Sequence, residues 1–297
     1  MKRLLIPAFI LLVVTLACSS QTLQPVIEQP ANGQPDLAQQ TTAPSPAGPS
    51  PTPSETPPPS GTCANPLYPL VPGYQWIYQV SSEQESEPSE IGLTVEKIED
   101  NKATVNALDM VTGVITQTIA ECDGTAILNY PSMTLDMILS GYLEGEINTE
   151  YVSGVFSPSY EDFIANNWAL TWEGDYIARG NIRVQDEENQ MTIIIKDSPL
   201  HLNWKTAENG TPVHETVTVP AGTFENALKV TRDMDMDVSL TTSLGNFRGT
   251  LKVKTTHWFL PYTGLLKTEI ESGDLTYMGM TFPVTLSGQV ELVEFKP

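Results

Sequence analysis

A mainly β fold is predicted: a large curved antiparallel sheet or half-barrel with one or two short helices packed on it. Three observations predict it. Apolar and polar residues alternate with a period of two over long stretches. Turn-forming pairs punctuate those stretches. Only residues 131–170 break the rhythm. The 235 residues from Cys63 to Pro297 are within the range of one such sheet or barrel.

The strands follow in order. Gln75 to Val80, Ile91 to Ile98, Ala103 to Met110 and Val114 to Glu121 read as a meander. Asp123-Gly124 is a hairpin turn into Thr125 to Tyr130. Ser132 to Leu139, stopped by Gly141, suits a short helix around 132–140 with Met133, Met137 and Ile138 inward. Ser157-Pro158 opens a second helix around 158–166. Tyr160, Phe163 and Ile164 are its apolar residues, and Glu161 and Asp162 sit near its positive end. Asp175 to Gln185 and Met191 to Lys196 flank the acidic turn Asp186-Glu187-Glu188-Asn189. Asn209-Gly210 turns the chain before Val213 to Val219. Leu265 to Glu271 and Thr281 to Glu294 finish the sheet.

The longest alternation runs from Lys229 to Thr241. Val230, Arg232, Met234, Met236, Val238 and Leu240 share one face, and Asp233, Asp235 and Asp237 stand on the other. Phe247 to Phe259 repeats the pattern, with Lys252 and Lys254 on its polar face. A hairpin at Ser243-Leu244 sets Asp235 opposite Lys252 and Asp233 opposite Lys254. One at Leu244-Gly245 sets Asp237 opposite Lys252 and Asp235 opposite Lys254. Either register pairs acid with base. The Asp-x-Asp-x-Asp run also resembles the start of a calcium loop. That loop needs Gly at its sixth position and Glu at its twelfth, and Val238 and Leu244 stand there.

The amino terminus has its own logic. Lys2 and Arg3 precede an uncharged apolar run, Leu4 to Thr15, that is short for a membrane span. The run ends in Thr15-Leu16-Ala17-Cys18, which resembles the lipobox of bacterial lipoproteins. The resemblance implies removal of residues 1–17, diacylation of the Cys18 sulfur with palmitate-type chains, and anchoring to the bacterial cell membrane on its extracytoplasmic side. An ordinary signal peptide cleaved near Ala17, leaving a free Cys18, is the alternative. Residues 18–62 form the next unit. Eleven prolines fall in residues 19–62, with many Ser, Thr and Gln and almost no large apolar groups. Such a stretch buries too little surface to offset its ordering entropy. It reads as an extended tether reaching on the order of 130 Å. Residues 63–297 are then a single β-rich extracytoplasmic domain.

Cysteine usage agrees. With Cys18 lipidated, Cys63 and Cys122 remain as a pair for an oxidising compartment. Their disulfide would close a loop of about 60 residues, worth about 4 kcal/mol in the chain-entropy model.

Composition limits the partners. Loss of Lys2 and Arg3 leaves 13 basic against 36 acidic residues, a formal charge of −23. Such a chain is unsuited to nucleic acid or to electrostatic adhesion on anionic lipid. His201, His214 and His257 show no metal-ligand spacing, and no nucleophile elbow, phosphate loop or cofactor motif is present. His257 falls on the apolar parity of its strand and reads as a core or rim residue. No enzyme is expected. Trp76, Trp168, Trp172, Trp204 and Trp258 serve either as core or as an aromatic platform for sugar rings or acyl chains.

Three segments carry a further resemblance: Tyr68-Pro-Leu-Val-Pro-Gly-Tyr-Gln-Trp76, Val219-Pro-Ala-Gly-Thr-Phe-Glu-Asn-Ala-Leu-Lys-Val230 and Trp258-Phe-Leu-Pro-Tyr-Thr-Gly-Leu-Leu-Lys267. The set is similar to uncharacterised envelope lipoproteins of a domain-of-unknown-function type, distantly like the LolA and LppX carriers. It implies an open curved sheet around a helix or apolar groove and transfers no functional residues. Three readings stay open. The first is a tethered structural or interaction protein. The second is a carrier or sensor of an apolar ligand held by Met133, Met137, Phe163 and Ile164 between sheet and helices. The third is a cell-wall carbohydrate-binding module, which requires several exposed, coplanar rings.

Overall fold

Alternation sustained over many residues forces the chain to lie extended, with one apolar and one polar face. The computed structural model describes residues 60–82, 88–131, 133, 144–186, 189–242, 245–283 and 288–297, and strands dominate them. All belong to the unit Ser50–Pro297. The leader, Cys18, the tether to residue 59, and Met137 with most of the expected 132–140 helix lie outside the described residues.

The first strands are β1 (Gln75–Ser82), β2 (Ser89–Glu99), β3 (Lys102–Asp109), β4 (Ile115–Asp123) and β5 (Ala126–Asn129). They form the expected antiparallel meander. Next come β6 (Glu144–Gly154), helix α1 (Tyr160–Ala165), β7 (Thr171–Asp186) and β8 (Asn189–Lys205). A small separate ladder, β9 (Ala207–Glu208) with β10 (Thr211–Pro212), follows around the Asn209-Gly210 turn. The chain ends with β11 (His214–Val219), β12 (Gly222–Thr242), β13 (Gly245–Leu260), β14 (Gly264–Tyr277), β15 (Met280–Pro283) and β16 (Gly288–Lys296). β6 is a correction to the sequence reading, which placed no strand between residues 131 and 170. The stretch expected from Thr281 to Glu294 is two strands, β15 and β16.

Fourteen of these strands make one sheet, in the order β5-β4-β3-β2-β1-β16-β14-β13-β12-β8-β7-β6. β12 is 21 residues long and takes β11 beside its start and β8 beside its remainder. β15 pairs with β14. The sheet curls until its two end strands meet. Asn129 of β5 donates from Nδ2 to the Thr149 carbonyl of β6 at 3.0 Å, and Thr149 Oγ1 donates back to Asn129 Oδ1 at 3.1 Å. The Ile127 amide donates to the Ser157 carbonyl at 2.9 Å, and the Phe156 amide to the Ile127 carbonyl at 2.8 Å. The open sheet implied by family resemblance is therefore a nearly closed barrel.

The predicted faces hold. Leu228, Val230, Arg232, Met234, Met236 and Val238 of β12 are buried, while Asp233 and Asp237 are exposed. Of the two hairpin registers, the first is realised, with Asp235 opposite Lys252 and Asp233 opposite Lys254. Lys252 pairs with Asp235 at 2.9 Å, whereas Lys254 reaches across to Glu271 of β14 at 2.8 Å.

Helix α1 falls within the predicted 158–166 segment. Ser159 caps it in a reciprocal box with Asp162, with Glu161 and Asp162 in the first turn. The anticipated disulfide joins Cys63 to Cys122 on β4, with a Cα–Cα distance of 5.5 Å. Beside it, Asn65 is fully buried and fully used. Its Nδ2 donates to the carbonyls of Thr125 at 2.8 Å and Pro158 at 2.7 Å. Its Oδ1 accepts from the Leu67 and Tyr68 amides and from Ser157 Oγ. One side chain thus ties the start of the folded chain to the β4–β5 turn and to the approach to α1.

Candidate functional site

Strands in register bring their inward residues into rows across the barrel. One row runs Trp172 (β7), Trp204 (β8), Arg232 (β12), Thr255 (β13). The next runs Val230, His257, Thr268, Val290 across β12, β13, β14 and β16. Where the two rows adjoin, four polar side chains form a relay inside an apolar lining. Arg232 Nε donates to Thr255 Oγ1 at 3.1 Å. Thr255 Oγ1 lies 2.9 Å from His257 Nε2, and His257 Nδ1 lies 3.0 Å from Thr268 Oγ1. All four are buried, Arg232 to 1% exposure.

Burial governs their ionisation. It holds the His257 imidazole well below its ordinary range, and the neighbouring Arg232 charge pushes it the same way. Burial also brings Arg232 down to about 10, with Tyr68 acting in the opposite sense. With the neutral ring protonated at Nδ1, a one-way chain runs through both imidazole nitrogens. Thr255 accepts from Arg232 and donates to Nε2, and Nδ1–H of the neutral ring donates to Thr268. Both imidazole nitrogens are occupied by threonine hydroxyls inside the barrel. Aromatic rings surround the relay. Trp172 stacks on Trp204 at 5.8 Å, and Tyr68 packs against Phe156 and Phe259, each at 5.1 Å. Arg232 stood on the apolar face of the alternation, which was the available signal. The pairing of β13 with β14 that brings Thr268 to His257 had none.

The expected ligand residues are distributed as follows. Phe163 is fully buried, stacked on Trp168 at 4.9 Å and edge-on to Trp172 at 5.9 Å. Ile164, the next helical residue, is 51% exposed. Met133 is buried in the core, and Met137 lies outside the described residues. Four tryptophans, Trp76, Trp172, Trp204 and Trp258, are buried, and Trp168 is half-buried, so they offer no exposed platform. Trp258 lies under two cations on the outer face, with the amines of Lys229 and Lys267 5.8 and 5.9 Å from its ring. Its Nε1 donates to Glu215 at 2.7 Å. His201 meets Asp175 at 2.8 Å on the surface and draws that carboxyl below its usual range. Among the described residues no cluster of three or more His, Cys, Asp or Glu is placed to hold a metal ion.

No family model and no curated protein matches the chain. Two solved structures are similar to it. One, an inferred lipoprotein from Parabacteroides distasonis ATCC 8503, is 18% identical with a TM-score of 0.45, over 77% of this chain and 97% of its own. The other, an inferred exported protein with a YmcC-like fold from Bacteroides fragilis NCTC 9343, is 12% identical with a TM-score of 0.41. It aligns over 78% of this chain and 98% of its own. Neither is named as a LolA- or LppX-type carrier.

Proposed function

We propose that this chain is an extracytoplasmic lipoprotein, anchored to the cell membrane through acylated Cys18, whose barrel acts by interaction and performs no chemistry of its own. The observation that carries the reading is the Cys63–Cys122 disulfide. It sits where the tether enters the barrel, and such a bond belongs to an oxidising compartment. The charged and apolar leader ending at Cys18 supplies a route to that compartment. The relay histidine is buried and held by a hydroxyl at each nitrogen, which suits a structural role. A tether with a reach on the order of 130 Å would hold the acidic body clear of the membrane while letting it search for a partner.

Fractionation of cells expressing the full chain tests this. The wild type is expected in the membrane fraction, released by detergent. Cys18→Ala is expected to lose that attachment. A wild-type chain found in the cytosolic soluble fraction would contradict the reading.

A further inference from the structure

β4 is bonded on one side to β3 along its length, from Ile115 to Glu121. On its other side, among the described residues, only β5 pairs with it, and only at Glu121, Cys122 and Asp123. Ile115 to Ile119 therefore present a strand edge to solvent, with Ile115 64% and Ile119 46% exposed. Natural edge strands are usually blunted by charge, proline or a bulge. This one has none of these: residues 110–120 contain no charged residue and no proline.

The direction of the edge groups follows from the ladder. The Asp109 amide donates to the Val114 carbonyl at 2.9 Å, and the Cys122 amide to the Asn101 carbonyl at 2.8 Å. Hydrogen-bonded positions alternate along an antiparallel pair. Val114, Thr116, Thr118, Ala120 and Cys122 thus turn their backbone groups toward β3. Ile115, Gln117 and Ile119 turn theirs outward.

Residues 115–119 read Ile-Thr-Gln-Thr-Ile in both directions. We propose that this edge is a self-association surface, on which a second copy of the chain adds its own β4 antiparallel about a two-fold axis through Gln117. In that register Gln117 faces Gln117 of the second copy, and each Ile115 faces an Ile119. These three pairs are the ones whose backbone groups point outward, and each exchanges both N–H···O bonds. The outer face becomes continuous. Leu108 beside Ile115 on one copy abuts Ile119 beside Thr104 on the other. At the axis Gln117 is already oriented, its Nε2 donating to Asn106 Oδ1 at 3.1 Å and to Glu96 Oε2 at 3.2 Å. The pairing stops on its own, because Asn129 of β5 occupies the edge at Glu121 and the second copy's strand ends before Val114. Charge selects the place as well. A body this acidic repels its like over most of its surface; residues 110–120 are uncharged, and the Glu96 carboxylate that reaches the axis is held by Gln117 and Asn106. What favours a second copy is that this register sets Ile against Ile and Gln against Gln at all three outward-bonding positions.

Cysteine cross-linking of the full chain in the membranes of cells that express it is the test, with a short bis-maleimide as probe. Gln117→Cys alone is expected to give a covalent dimer, at twice the mass of the mature monomer. Ile115→Cys alone is expected to stay monomeric, since its two copies lie about 14 Å apart along the strands. Ile115→Cys mixed with Ile119→Cys is expected to cross-link again. Gln117→Pro costs the fold no ladder bond, because that amide points outward. Adding it to the mixed pair is expected to lower the dimer yield at least tenfold with an unchanged melting curve. Absence of a Gln117→Cys dimer overturns the proposal, as when the hairpin tip inserts into lipid instead. Equal yields from Gln117→Cys and Ile115→Cys, the mark of random collision, also overturn it.

Discussion

Asn65 and His257 are two polar side chains on which the interior makes heavy demands. Asn65 makes five hydrogen bonds from a fully buried position. Asn65→Ala leaves two carbonyls, two amides and a hydroxyl to find other partners, and is expected to cost about 3 kcal/mol in urea unfolding. His257 controls the acid limb of stability. Its folded pKa lies below the unfolded value of about 6.5, so on acidification the unfolded chain takes up the proton first. Stability is full above that pH and is lost as the pH falls through it, by up to about 1.4 kcal/mol for each further unit. The lowered carboxyls Asp175, Glu215 and Glu271 act in the same direction, but only below about pH 4.5. The fall in melting temperature between pH 6.5 and 5 is therefore expected to report His257, and His257→Gln should flatten it. An unchanged slope in that variant would mean that the ring is solvated.

Among the elements, the β12–β13 hairpin was the most legible in sequence. Thirteen alternating residues and paired charges left two registers, and the choice between them was a matter of turn position. Its ion pair is half-exposed, so Asp235→Lys opposite Lys252 is expected to cost only about 0.5 kcal/mol, read as a small shift of the urea midpoint. The disulfide was legible too, because only two cysteines remained once Cys18 was set aside. Replacing Cys63 and Cys122 by Ala is expected to lose about 2–5 kcal/mol, measured against the oxidised wild type. β6 was not legible. Its buried position is the polar Thr149, between exposed Asn148 and Glu150, and among the described residues it is bonded along its length only to β7. Its extended form is imposed by that neighbour, a long-range cause that leaves no local periodicity. The relay was half legible for the same reason. Arg232 and His257 stood out on an apolar face, but their connection through Thr255 and Thr268 needs the β12–β13–β14 register.

At the scale of the whole molecule, the proposed function would set the acidic barrel on a lipid foot and a proline-rich stalk. The barrel closes where Asn129 meets Thr149, and the disulfide locks the point where the stalk enters. Were the chain anchored as proposed, pull from the membrane would be delivered to a covalently braced corner of the sheet. The intact mass of the full chain extracted from its host membrane tests the central claim most directly. The account predicts a chain that begins at Cys18, carries acyl chains on that residue, and is two hydrogens lighter than its reduced form. A chain of precursor mass, beginning at Met1 with three free thiols, would contradict it.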